Sequence, residues 1–143
     1  MKRVFAVVNI LALLFLLTAV SLSCGAGAGI QATLGQEFTL PVGKTATFES
    51  ESLTVRFVDV ITDSRCPAGV ECIWAGEAQC RLFFTLIGSA AEMIVVQPGG
   101  DVYARDYFIY YKIDFKLEPY PQEGQQIAPS DYKLMMTVSK KGS

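Results

Sequence analysis

The sequence predicts an all-β domain: a single antiparallel β-sandwich, or a partly open barrel, of about seven strands behind a signal-peptide helix. Two observations carry that prediction. Beyond residue 23 no apolar 3.6-residue period lasts for three turns, whereas short runs of alternating apolar and polar residues recur. Between those runs stand turn formers: Gly35, Pro41-Val42-Gly43, Pro98-Gly99-Gly100 and the stretch from Pro119 to Gly124.

In chain order the strands are expected at Glu37 to Leu40, Thr45 to Glu49, Leu53 to Thr62, Ala78 to Ile87, Glu92 to Gln97, Tyr107 to Leu117 and Tyr132 to Ser139. The two-residue period assigns their faces. Leu53, Val55 and Phe57 point to the core, but Val58, Val60 and Ile61 break the alternation and put Asp59 on the apolar side. A β-bulge or a change of sheet near Asp59 resolves that conflict. Cys80 shares a face with Ala78, Leu82, Phe84 and Leu86, as a small buried thiol does. Ile109, Tyr111, Ile113, Phe115 and Leu117 form one core face, and Tyr132, Leu134, Met136 and Val138 another. Phe83, Phe108 and Tyr110 fall on the outer side of their strands. A short helical turn fits Ala128-Pro129-Ser130-Asp131, where serine or aspartate can cap.

The N-terminus reads as an export signal. Lys2 and Arg3 precede an apolar run from Val4 to Val20, interrupted only by Asn9 and Thr18 and slightly short of the ~20 residues of a membrane span. Ser21-Leu22-Ser23-Cys24-Gly25 then resembles a bacterial lipobox, with Ser21 departing from the usual leucine three residues before the cysteine. The resemblance implies cleavage before Cys24 and acylation of its thiol and new amino end, a stable anchor because each buried methylene adds about 0.8 kcal/mol. Ordinary cleavage after Ala28 and an uncleaved anchor are the alternatives. The expected organisation is a signal peptide at 1–23, a lipidated cysteine and flexible tether at 24–33, and the sandwich domain at 34–143.

Residues 24 onward number 120, enough for one core and hardly for two. They hold ten basic and fourteen acidic side chains, a net charge of −4, and neither a basic stripe for nucleic acid nor a polybasic patch for anionic lipid. With Cys24 assigned to lipid, Cys66 and Cys72 are the natural disulfide pair of an oxidising compartment, separated by five residues that include Pro67 and Gly69. Zinc is disfavoured by the lack of histidine and of a fourth sulfur ligand. A thioredoxin-like redox pair is disfavoured by the spacing. No cofactor or metal is expected.

The segment from Asp63 to Glu77 gathers both those cysteines, the only tryptophan and a proline-glycine turn. Asp63-Ser64-Arg65-Cys66-Pro67, Cys72 and Trp74-Ala75-Gly76, with Leu117-Glu118-Pro119-Tyr120-Pro121 and Tyr132 later, resemble a group of small uncharacterised bacterial secreted proteins and lipoproteins. The resemblance covers most of residues 36–140 and implies no transferable activity. In structural terms the segment is expected to be a staple: the disulfide ties a turn, Trp74 lies over it or over an open end of the core, and Gly76 lets the next strand start beside the ring. Asp63 or Glu77 pairs with Arg65 at the surface in that arrangement. As a recognition loop it offers Arg65, Val70, Glu71 and Ile73, preorganised by the disulfide for an envelope protein partner.

Non-catalytic binding or a structural role at the membrane is therefore the first expectation. A peptidase inhibitor anchored by Arg65 is a narrower version of it. An enzyme has no histidine base, nucleophile elbow or phosphate loop to draw on, leaving a glycan hydrolase built on carboxylates such as Asp59 and Asp63 as the alternative. Calcium could draw on Asp59, Asp63, Glu71 and Glu77, but their spacing matches no EF-hand loop.

Overall fold

The computed structural model describes residues 29–142; the expected signal segment and Cys24 lie outside them. Nine strands form two sheets. They are β1 (Ile30–Gln31), β2 (Glu37–Pro41), β3 (Thr45–Phe48), β4 (Leu53–Asp63), β5 (Glu77–Leu86), β6 (Ser89–Pro98), β7 (Ala104–Phe108), β8 (Tyr111–Glu118) and β9 (Lys133–Lys140). One sheet runs β1-β3-β4-β5-β6 and the other β2-β9-β8-β7, with every pair antiparallel except β1 with β3. This is an all-β sandwich that does not close into a barrel. Two 3-10 turns, Glu49–Glu51 and Pro129–Asp131, are the helical elements among the described residues.

Alternation builds the core. Val55, Phe57, Ala78, Cys80, Leu82, Phe84 and Val95 of one sheet face Leu40, Ile113, Phe115, Leu117, Leu134, Met136 and Val138 of the other, all without exposed surface. The expected irregularity near Asp59 is present as two register shifts against β5, between Phe57 and Asp59 and between Val60 and Thr62. Extra residues in β4 restore the alternation that Val58, Val60 and Ile61 interrupt.

The expected strand at Glu92 to Gln97 extends to Ser89–Pro98, the one expected from Tyr107 starts at Ala104, and two further differences change the layout. Ile30 and Gln31, expected in the tether, pair with Ala46 and Thr47, so the sheet already begins there. The expected strand from Tyr107 to Leu117 is two strands joined by a tight turn at Ile109 and Tyr110, which leaves Ile109 half-exposed at 51% and outside the core. Neither residue is a usual turn former, and the apolar alternation runs through them without interruption.

The strand directions give the sandwich two distinct ends. The loop 64–76 closes one end, together with the connections 99–103 and 119–132. The turns 49–52, 87–88 and 109–110 close the other.

Candidate functional site

The loop between β4 and β5 is closed at its base by backbone pairing. Ser64 N donates to Glu77 O at 2.8 Å and Cys66 N to Ala75 O at 2.9 Å. The Cys66–Cys72 disulfide is formed, with Cα atoms 6.0 Å apart. Gly76 adopts φ 68°, and a Cβ there would overlap the Ser64 carbonyl, so the glycine is required by the backbone crossing and not by a neighbouring tryptophan ring.

Arg65 is the largest departure from expectation: it is 3% exposed, not presented to solvent. Its Nε and Nη2 donate to Asp63 Oδ1 and Oδ2 at 2.9 and 2.7 Å. Nη1 donates to Leu117 O of β8 at 2.7 Å and Nη2 also to Pro119 O, just beyond that strand, at 3.0 Å. The guanidinium also lies 5.2 Å from the centre of the Tyr120 ring. A planar fork with five donors suits such a site because each buried charge and carbonyl finds a partner. Arg65 therefore holds the loop onto the body of the domain, and it cannot be the residue that enters a protease cleft.

Tyr120 and Gln97 complete the platform, and their roles were not apparent from composition or spacing. The Tyr120 hydroxyl donates to Cys66 O at 2.9 Å and accepts from Gly100 N at 3.1 Å, joining three loops at one atom. Gln97, 1% exposed, donates to Pro98 O and Val102 O and accepts from Leu117 N. Ala68 bridges to Gln122, with Ala68 N donating to Pro121 O at 2.9 Å.

With its base fixed in this way, the loop turns its apolar tip outward. Ile73 is fully exposed, Trp74 is 67% exposed and Val70 is 40% exposed, with Glu71 exposed beside them. Trp74 is thus not buried over an open end of the core, in contrast to one form of the expected lid. Beneath the loop stand polar groups instead: Arg65 on Asp63 and the Leu117 and Pro119 carbonyls, and the Tyr120 hydroxyl on Cys66 O.

Asp63 and Asp59 each face an arginine. Burial pushes the Asp63 carboxyl up, but the hydrogen bonds and charge of Arg65, with the Tyr132 hydroxyl at 3.0 Å, outweigh it and hold the group below its ordinary range. Asp59 Oδ1 faces Arg81 Nε at 3.6 Å, an ion pair beyond hydrogen-bond length, and neither atom has a hydrogen-bond partner. Asp59 and Asp63 line a groove of about 400 Å³ with Gln125, Gln126 and Ile127. A depressed, doubly bonded Asp63 is a poor general acid near neutral pH. No group of three or more His, Cys, Asp or Glu among the described residues could hold a metal ion.

The fold and this site define an all-β domain with a disulfide-closed, outward-facing apolar loop. Comparison with family models, with curated proteins and with solved structures finds no match.

Proposed function

We propose that the protein is an exported, membrane-tethered binding module without catalytic activity, whose contact surface is the Cys66–Cys72 loop. The observation that carries the reading is the exposure of Ile73 and Trp74 on a loop whose base is fixed by the disulfide, Arg65 and Tyr120. A preorganised loop loses little entropy on binding, and tryptophan at the centre of a contact contributes most of its energy. Val70 and Glu71 flank that contact; Arg65 and Asp63 serve it from beneath. The tether is a lipid on Cys24, which assigns the protein to the bacterial cell envelope. Kinship with the small secreted proteins and lipoproteins that share the Asp63 to Gly76 pattern belongs to the same proposal.

The test is retention of envelope components by the immobilised protein, wild type against Ile73→Ser/Trp74→Ser. The expected result is a component retained by wild type and lost by the variant at unchanged thermal stability. Equal retention by both overturns the loop as the contact surface. The mass of the protein extracted from host membranes decides separately whether Cys24 is acylated.

A further inference from the structure

The outer edge of β6 is a long strand edge left open. A sheet edge exposes a row of unpaired N–H and C=O groups, and folded domains blunt it with short strands, charges, prolines or bulges. The other three edges follow that rule. β1 has two residues, β2 has five and ends on Pro41, and β7 has five with Arg105 and Asp106 among them. β6 does not follow it. The strand runs for ten residues, pairs with β5 without a register shift, and has Glu92 as its one charge and a proline only at its last position. Among the described residues no strand lies beyond it.

The register identifies the free groups. Just past the strand pair, Gly99 N donates to Gly76 O at 2.8 Å. Hydrogen-bonded pairs recur at every second residue of an antiparallel ladder, so Gln97, Val95, Met93, Ala91 and Ser89 are the residues that bond to β5. Ala90, Glu92, Ile94 and Val96 therefore turn their N–H and C=O groups outward. Their side chains lie on the outer face of the sheet, where all four are exposed, Ile94 at 50%. Val95 and Gln97, on the other face, are buried.

We propose that β6 pairs antiparallel with β6 of a second copy of this chain, joining two five-stranded sheets into one sheet of ten. An antiparallel edge is its own complement. With a two-fold axis at Met93, Ala90 of each copy meets Val96 of the other and Glu92 meets Ile94, so four pairs each exchange two hydrogen bonds and every outward group of these residues is used. Sliding one strand by two residues in one direction sets Glu92 against Glu92, and in the other sets Ala90 against Pro98, which has no N–H.

Charge selects the same occupant. Arg81, opposite Ile94 on β5, lies 3.6 Å from Asp59 and 3.9 Å from Glu92, and its Nε has no hydrogen-bond partner. In the paired register Glu92 of the second copy stands opposite Ile94 on the same face, two strand spacings or about 10 Å of backbone from Arg81. Each arginine thus gains a second glutamate on its face of the joined sheet. β6 runs from the hairpin end, where the turns 49–52, 87–88 and 109–110 lie, to the disulfide end. Antiparallel pairing leaves the two disulfide loops uncovered at opposite ends of the dimer, and it does not depend on Ile73, Trp74 or Cys24.

The test is sedimentation equilibrium of the full chain over a range of concentrations, in density-matched detergent that accommodates an anchor. The expected result is a reversible dimer. Val96→Pro leaves the β5 ladder whole, because the Val96 N–H faces away from β5, yet removes a hydrogen bond at each end of the pairing. It should weaken dimerisation at least about tenfold, with circular dichroism unchanged. Ile94→Glu, at a half-exposed position, sets two carboxylates opposite each other and should abolish the dimer, while Glu92→Lys/Ile94→Glu restores it by setting lysine opposite glutamate. Ile73→Ser/Trp74→Ser should dimerise as wild type does. A protein monomeric at every concentration, a dimer indifferent to both Val96→Pro and Ile94→Glu, failure of the charge-paired double variant to restore dimerisation, or loss of the dimer in Ile73→Ser/Trp74→Ser each overturns the proposal.

Discussion

Asp63 grips Arg65 by both carboxylate oxygens two residues along the chain, and the same guanidinium reaches the carbonyls of Leu117 and Pro119 in the opposite half of the domain. A contact local in sequence thereby ties the disulfide end together. Removing the cation leaves a largely buried carboxylate and two carbonyls without their donors. Arg65→Met is expected to lower the unfolding free energy by about 3–5 kcal/mol, as for other broken buried pairs. Arg65→Lys recovers little, since an ammonium cannot serve a bidentate carboxylate and two carbonyls at once. Urea titration followed by circular dichroism measures both; a loss below 1 kcal/mol for Arg65→Met would contradict the role given to this residue.

The same pair predicts how stability varies with pH. Asp63 is held below its unfolded value of about 3.9, so its stabilisation is complete above that pH and is lost as pH falls through the folded value. At the other extreme burial, then the charge of Asp63 and the hydrogen bond to it, push Tyr132 up to about 12. Burial likewise pushes the Cys80 thiol up to about 12. Both groups are neutral in the fold and ionise more readily when unfolded, so their stabilisation is full below the unfolded values and declines as pH rises towards the folded ones. The urea midpoint is expected to be level between about pH 5 and 8 and to fall on both sides. Asp63→Asn flattens part of the acid limb, Glu51 and Asp114 supplying more of it, because both also sit below their ordinary values. An acid limb unchanged by Asp63→Asn would remove this linkage.

Much of the fold was legible in the sequence, because alternation reports burial directly. The core faces of β4, β5, β8 and β9 follow from it, and its failure after Phe57 located the irregularity in β4. The site was less legible. Arg65 is buried only because carbonyls 52 and 54 residues away come to meet it, which no local pattern encodes. Trp74 invited a core assignment by its type alone. Ile109 was misplaced for the opposite reason, since an apolar alternation ran unbroken through a turn that lacks turn formers.

Trp74 provides a direct check on the corrected arrangement. With 67% of its surface exposed, it supports no core packing. Trp74→Ala is expected to change stability by less than about 0.5 kcal/mol, the range of ordinary surface substitutions. Emission of the native protein should lie near that of the unfolded chain and be freely quenched by acrylamide. A buried indole, blue-shifted and protected, would restore the lid.

Reduction of the disulfide separates the tip of the loop from its base. Closing so short a loop contributes about 2 kcal/mol in the chain-entropy model. The paired Cys66→Ser/Cys72→Ser protein is expected to lose about that much and to keep its fold, because Arg65, Tyr120 and the backbone pairs hold the base without the sulfurs. Trp74 anisotropy, in contrast, should fall. Unchanged anisotropy after complete reduction would mean that the tip is ordered by something other than the bond.

Gly76 and Gly99 make the most stringent demand on the loop's geometry. Gly76 combines φ 68° with a backbone crossing in which a Cβ would strike the Ser64 carbonyl, and at Gly99 a Cβ would strike the Ala75 carbonyl. The two are joined by the hydrogen bond from Gly99 N to Gly76 O at 2.8 Å, so displacement at either one is passed to the other. Gly76→Ala must open the Ser64 crossing and adopt a disfavoured backbone, costing well over about 1 kcal/mol. Gly99→Ala has only the clash and should cost less. Gly88, whose positive φ meets open space at the hairpin end, provides the control: Gly88→Ala carries the conformational cost alone. Hydrogen exchange should show the Ser64 and Cys66 amides losing protection in Gly76→Ala and keeping it in Gly88→Ala. Equal protection in the two variants would show that the crossing does not depend on the glycine.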